Sequence, residues 1–279
     1  MVTTQSSHSL PSYNARRYFT LTFAFTFALW GVGALLSFSQ ELADFYMLFM
    51  LAGLITPFMV AVMLLERSTG NGSRWDLIRR MVHPEPISPG MLPVLLLLMP
   101  LSVVIATAIS LLMGEPVTQF HMAEHFSFTT GVVPVLLMLF IAALFEELGW
   151  RGYGFESLRR ERSLLFTSLI FGLLWSLWHL PLLLVNGSYQ YEILQQSPWY
   201  AINFFIAIVP MGVIISWIYV RSGNSILVAV VFHFITNLSQ EALQISQTTK
   251  LIQTLVLSLF VLIIVVYDRK RLLAQEEVR

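Results

Sequence analysis

The stretch Val132-Val133-Pro134-Val135-Leu136-Leu137-Met138-Leu139-Phe140-Ile141-Ala142-Ala143-Leu144-Phe145 runs directly into Glu146-Glu147-Leu148-Gly149-Trp150-Arg151. Apolar runs of this kind belong in a bilayer core, which about 20 residues of helix cross. Carboxylates at that depth are costly, about 2.5–3.5 kcal/mol for an acid at a helix centre. A chain that keeps two of them side by side has a use for them.

The rest of the chain repeats the apolar theme. Of its 279 residues 56% are hydrophobic and only 11% charged, with a mean hydropathy of +0.73. Soluble domains carry about 25% charge, so the fold class is an all-α, polytopic membrane helix bundle. Eight candidate spans can be marked: Tyr18–Phe38, Phe45–Leu65, Met91–Met113, Val132–Trp150, Leu164–Val185, Trp199–Val220, Ser225–Leu243 and Leu251–Tyr267. The seventh is short and is interrupted by His233, Thr236 and Asn237. The first is too long for a signal-peptide core and reads as a retained helix. Residues 1–17 form a polar tail expected to be disordered, 18–267 a single bundle, and 268–279 a second tail.

Charge is asymmetric. With eight spans, one side carries Arg16, Arg17, Arg67, Arg74, Arg79, Arg80, Arg151, Arg159, Arg160, Arg162, Arg221, Arg269, Lys270, Arg271 and Arg279, and the other only Lys250. The positive-inside rule then puts both termini in the cytoplasm. In a prokaryotic cell the membrane would be the plasma or inner membrane. Formal net charge is zero, so no basic surplus attracts nucleic acid. With no cysteine, disulfides, thiolate metal sites and a cysteine nucleophile are excluded. Arg67 to Pro89 fits either an amphipathic helix on the inner leaflet or a basic loop. Phe155 to Ser163, with Arg159, Arg160 and Arg162 beside Glu156 and Glu161, reads as a solvated interfacial turn.

Three polar clusters remain. Glu147 and Arg151 are four apart and share a helix face, while Glu146 points about 100° away. Taken alone, such a pair is a helix-end clamp. The fifth span carries Phe171, Trp175 and His179 before Pro181, which opens a backbone carbonyl. That histidine, alone, satisfies a carbonyl. The seventh span places His233 and Asn237 on one face. Those two, alone, glue helices together. Together they supply a general base, a second proton-handling group and oxyanion donors, the parts needed to split an amide with water. Glu146, His179 and His233 also have the chemistry to hold a divalent metal such as zinc. Simple depth counting leaves a spread of about 12 Å among these three at 1.5 Å per residue. Tilt or a helix break near Pro181 has to close it.

Glu-Glu-x-x-x-Arg, aromatic-x-x-x-His and His-x-x-x-Asn on successive membrane helices resemble the CPBP family of intramembrane proteases, which includes the CAAX prenyl endopeptidases and bacteriocin-processing proteins. These motifs span Glu146 to Asn237, and Trp175 stands where the family usually has Phe. The resemblance implies an intramembrane endopeptidase. In it Glu146 activates water, His179 orients that water, His233 and Asn237 stabilise the oxyanion, and Glu147 and Arg151 brace the site. Phe171 and Trp175 would wall the substrate cavity. Either a metal-free glutamate mechanism or a bound metal fits these residues. Partners would be the bilayer and a peptide or protein substrate, C-terminal or lipid-modified. The competing reading is a non-enzymatic membrane module, either a peptide-binding scaffold or immunity protein or an ion or proton pathway. A proton path would show polar residues through the full thickness; the outer halves of the first, second, third, sixth and eighth spans read as nearly devoid of them.

Overall fold

The computed structural model describes residues 13–67, 72–82, 87–123, 134–159 and 162–274. Among them the chain is helical and forms no named strand: α1 (Ala15–Ser37), α2 (Ala43–Arg67), α3 (Gly72–Val82), α4 (Met91–Leu112), α5 (Val135–Gly149), α6 (Phe155–Arg159), α7 (Leu164–Trp178), α8 (Tyr189–Gln196), α9 (Pro198–Arg221), α10 (Ile226–Glu241), α11 (Gln247–Tyr267) and α12 (Arg269–Leu273). The chain is a multi-pass integral membrane protein, and its surface says so. Leu112 is 89% exposed and Val266 79%, whereas Arg151 and Glu147 are fully buried. Apolar side chains face outward because the solvent there is lipid.

Side-chain oxygens cap the start of many of these helices. Asn14 accepts from the Arg17 amide, and Ser163, Ser188, Ser197, Ser225 and Ser246 cap α7, α8, α9, α10 and α11 in the same way. Each satisfies one of the N–H groups a helix start leaves unpaired. A proline inside α2 frees a carbonyl that another helix takes up. Pro57 cannot donate to Gly53, and the Thr26 hydroxyl donates to that Gly53 carbonyl at 3.3 Å while accepting from the Trp178 indole at 3.0 Å. The wedge ties α1, α2 and α7 together.

Six helical runs are long and apolar enough to cross a membrane: Ala15–Ser37, Phe45–Glu66, Met91–Leu112, Leu164–Leu184, Pro198–Arg221 and Gln247–Tyr267. The other two expected spans are present as helices but are short, with 15 residues in α5 and 16 in α10. Residues 124–133, which include the first two positions of the expected fourth span, lie outside the described residues. Beyond Gly149 that helix does not stop: a π turn (Trp150–Gly154) joins it to α6 without a break. α10 packs against α4, α5 and α9. The two helices bearing the acids and the His–Asn pair thus pack on each other and on α2, α4 and α9.

Three expectations change. Residues 72–82 form a helix, which selects the helical reading of that segment. The first part of the turn after Phe155 is not solvated: Phe155 is fully buried and Arg159 is 9% exposed, whereas Arg162 is exposed. Arg159 lies 3.7 Å from Glu156 and donates to the Asn224 side chain at 3.0 Å, so its charge is spent on internal partners. Residues 160 and 161 of that turn lie outside the described residues. The supposedly apolar outer halves also hold a buried polar ladder. Gln253 donates to Ser102 and accepts from Gln240, while Gln119 donates to Ser110 and accepts from Thr249 and the Ser246 amide. These groups satisfy one another across α4, α10 and α11, as polar glue in lipid does, and the ladder is no conduit of titratable groups.

Candidate active site

Glu146 and Glu147 sit near the end of α5, just before the helix passes hard against α2. A Cβ on Gly149 would lie 2.4 Å from the Pro57 carbonyl carbon. The two backbones touch there, which holds the acid-bearing turn in place. The π turn follows at once. Its widened ring leaves main-chain carbonyls without the usual partner, and Arg80 from α3 takes them: its guanidinium donates to the Arg151 carbonyl at 3.0 Å and the Gly152 carbonyl at 3.2 Å. Arg80 also donates to the Tyr219 hydroxyl at 2.8 Å.

Glu147 is bound on two sides. Arg151 Nη1 lies 2.9 Å from its Oε2 and, in hydrogen-bond geometry, donates to its Oε1 at 3.3 Å. His233 Nδ1 meets the same Oε1 at 2.9 Å from α10. Nη2 of Arg151 donates to Ser216 on α9 at 3.3 Å, and its guanidinium lies 4.2 Å over the Phe171 ring. A desolvated cation is thus matched by a carboxylate, a hydroxyl and an aromatic face.

Glu146 faces a different set. Its Oε2 accepts from the Trp175 indole at 2.9 Å and the Trp150 indole at 3.4 Å. Its Oε1 takes part in no hydrogen bond among the described residues. Trp175 also touches both imidazoles, with ring centroids 5.2 Å from His233 and 6.1 Å from His179. His179 caps α7, where the Trp175 carbonyl lacks its helical partner, and His179 Nδ1 lies 2.7 Å from that oxygen. A carbonyl can only accept, so Nδ1 carries the proton, and a neutral ring presents a lone pair at Nε2. Beyond His179 the helix gives way to a 3-10 turn through Pro181. α7 stops at Trp178, which sets the His179 ring beside Trp175, and Trp175 in turn contacts Glu146 and His233.

Comparison with known proteins gives the family. Residues 128–239 match the type II CAAX prenyl endopeptidase Rce1-like family. Over 258 residues the chain is 47% identical to the CAAX prenyl protease 2 of Methanococcus maripaludis, covering 92% of this chain and 95% of that protein. The chain belongs to the type II CAAX prenyl endopeptidase Rce1-like family. It is an intramembrane endopeptidase, and the scaffold or ion-pathway reading is not favoured.

Within this CAAX endopeptidase the structure joins Glu146, Glu147, Arg151, His233, Trp175 and His179 through the contacts above. Asn237, one turn beyond His233 on α10, is half-buried and makes no hydrogen bond among the described residues. Phe171, expected on the cavity wall, is fully buried under the Arg151 guanidinium. Sequence reasoning missed the two indole donors, Ser216, and Arg80. Trp150 was findable, since it stands four residues after Glu146 and shares its face. Ser216 and Arg80 carry no sequence signal. A divalent metal fits this donor set poorly: among the described residues no three His, Cys, Asp or Glu side chains come together as metal ligands.

Proposed function

We propose that this chain hydrolyses a peptide bond at a lipid-modified, C-terminal CAAX sequence, using water activated by Glu146. The supporting observation is the asymmetry of that carboxylate. One oxygen is held by two indole N–H groups, and the other engages no protein donor among the described residues. Glu146 Oε1 takes a proton from water as the water oxygen attacks the scissile carbonyl carbon. His179 Nε2, a lone pair in the neutral tautomer, accepts a hydrogen bond from the same water and orients it. The carbonyl oxygen gathers negative charge, and His233 and Asn237 stabilise it. For His233 this requires the imidazolium, because its Nδ1 already faces Glu147. Glu146 then returns the proton to the departing amine.

Glu147 and Arg151 hold His233 and the π turn in position. The fifteen-to-one distribution of Arg and Lys supports cytoplasmic termini and a site reached from the inner leaflet. The prenyl specificity is carried over from the CAAX prenyl protease 2 that the chain resembles, and a lipid-modified substrate suits an enzyme whose solvent is the bilayer.

The test uses full-length enzyme in lipid nanodiscs and a farnesylated CAAX peptide. Glu146→Gln keeps the size and both indole contacts and removes the base, so turnover falls at least about a hundredfold, within the range general-base catalysis supplies. Turnover near the wild-type rate would refute the mechanism. Prolonged chelation leaves wild-type turnover intact under this reading; a loss restored by added Zn²⁺ would favour the metal-dependent alternative.

A further inference from the structure

A carboxylate serving as a base needs one oxygen aimed at water and the other held still. Its last torsion is broad and nearly two-fold, so the holding groups decide which oxygen is free. Here they are indoles. Trp175 lies 29 residues beyond Glu146, on a different helix, and gives the shorter bond, 2.9 Å against 3.4 Å from Trp150. Its ring stacks on Phe171 at 5.9 Å and meets the His233 ring edge-on at 5.2 Å. Its carbonyl takes His179 Nδ1 at 2.7 Å. One buried residue therefore reaches the acid through its indole N–H, one imidazole through its ring and the other through its main chain.

We propose that Trp175 is a positioning residue for the reaction, its N–H fixing Oε2 of Glu146 so that Oε1 faces the water, and its ring and carbonyl setting both imidazoles around that point. The inference rests on Glu146 being the base. A phenylalanine in this place would keep the ring and lose the donor, leaving the carboxylate free to turn.

The deciding variant changes one atom group. Trp175 is replaced by 3-benzothienylalanine, in which sulfur stands for the indole N–H, in full-length enzyme in nanodiscs with a farnesylated CAAX peptide; Trp175→Phe is measured beside it. A hydrogen bond to a charged group corresponds to roughly a ten- to hundredfold change, so kcat falls by that factor in both variants while KM stays within about twofold. The isostere preserves volume, and an unchanged melting temperature shows that it packs. A residue that only fills the core would give wild-type kcat with the isostere, and that result overturns the proposal. So does a rise in KM at constant kcat, which would make Trp175 a substrate-binding wall. Glu146→Gln in parallel separates the two failures. Activity surviving there removes the base reading and this inference with it, whereas an inactive Glu146→Gln beside an unaffected isostere removes this inference alone.

Discussion

Arg151 and Glu147 are both fully buried, 2.9 Å apart, and neither has bulk water to fall back on. Glu147→Gln strips the guanidinium of its counter-charge but leaves Ser216 at 3.3 Å and the Phe171 face at 4.2 Å. Removing one partner of a buried pair costs about 3–5 kcal/mol. The aromatic face and the hydroxyl offset part of this, the first by roughly 0.5–2 kcal/mol, so Glu147→Gln is expected near the lower end of that range. Arg151→Met, which orphans the carboxylate and removes the cation–π contact as well, belongs near the upper end. The double variant removes both members of the Arg151–Glu147 pair and recovers about 2–3 kcal/mol relative to the sum of the singles. The assay is reversible unfolding of all four proteins in mixed micelles, with peptide cleavage measured in parallel. Stability returns in the double variant and activity does not, because His233 has lost the carboxylate that anchors Nδ1. Single-variant effects that add to within about 0.5 kcal/mol would refute the brace.

Arg80→Ala removes two hydrogen bonds to the carbonyls of the π turn and one to Tyr219, and lowers kcat/KM by about tenfold or more; Arg80→Lys recovers little, since an ammonium lacks the fork that reaches both carbonyls. Wild-type cleavage by Arg80→Ala would show that the turn holds itself. Gly212→Ala places a Cβ 2.6 Å from the Gly172 Cα, where α7 and α9 cross, and destabilises by about 1–3 kcal/mol in thermal unfolding. Gly31→Ala, with nothing within 4 Å, is the control; equal melting points for the two would contradict the crossing.

Hydropathy located the six long apolar helices, in several cases to within two or three residues of their ends. α1 begins at Ala15 where Tyr18 was expected, because Asn14 caps a turn that is not yet apolar. The i to i+4 rule placed Glu147 on Arg151 and turned Glu146 elsewhere, since that pairing is local to one helix. Contacts between helices were less readable. The indole of Trp175 looked like one more aromatic in an apolar run, and only the packing of α7 near α5 reveals its N–H as a donor to Glu146. The π turn was invisible because Trp150–Gly154 differs from an α-helix by one widened ring, with no composition of its own. Ser102, Ser110 and Thr249 barely lower the hydropathy of their helices, so the polar ladder was hidden in plain apolar runs.

The same physics bears on why the two acids and the His–Asn pair sit on the shorter helices α5 and α10. A helix facing lipid must be apolar on its lipid side, and the six long runs are apolar on average while keeping Ser102, Ser216 and Gln253 buried. An ionised side chain can be kept only where protein replaces lipid on every side. α5 meets α2 and α10, and α10 meets α4, α5 and α9, so their polar faces need never meet a hydrocarbon chain. Once shielded, they have no need of the length that a lipid-facing span requires. Arg151 shows the consequence: the cation that would be most costly in lipid is the one wrapped by Glu147, Ser216 and Phe171 from three different helices. Moving any of those helices outward exposes it, which ties the integrity of the bundle to the geometry of the acid beside it.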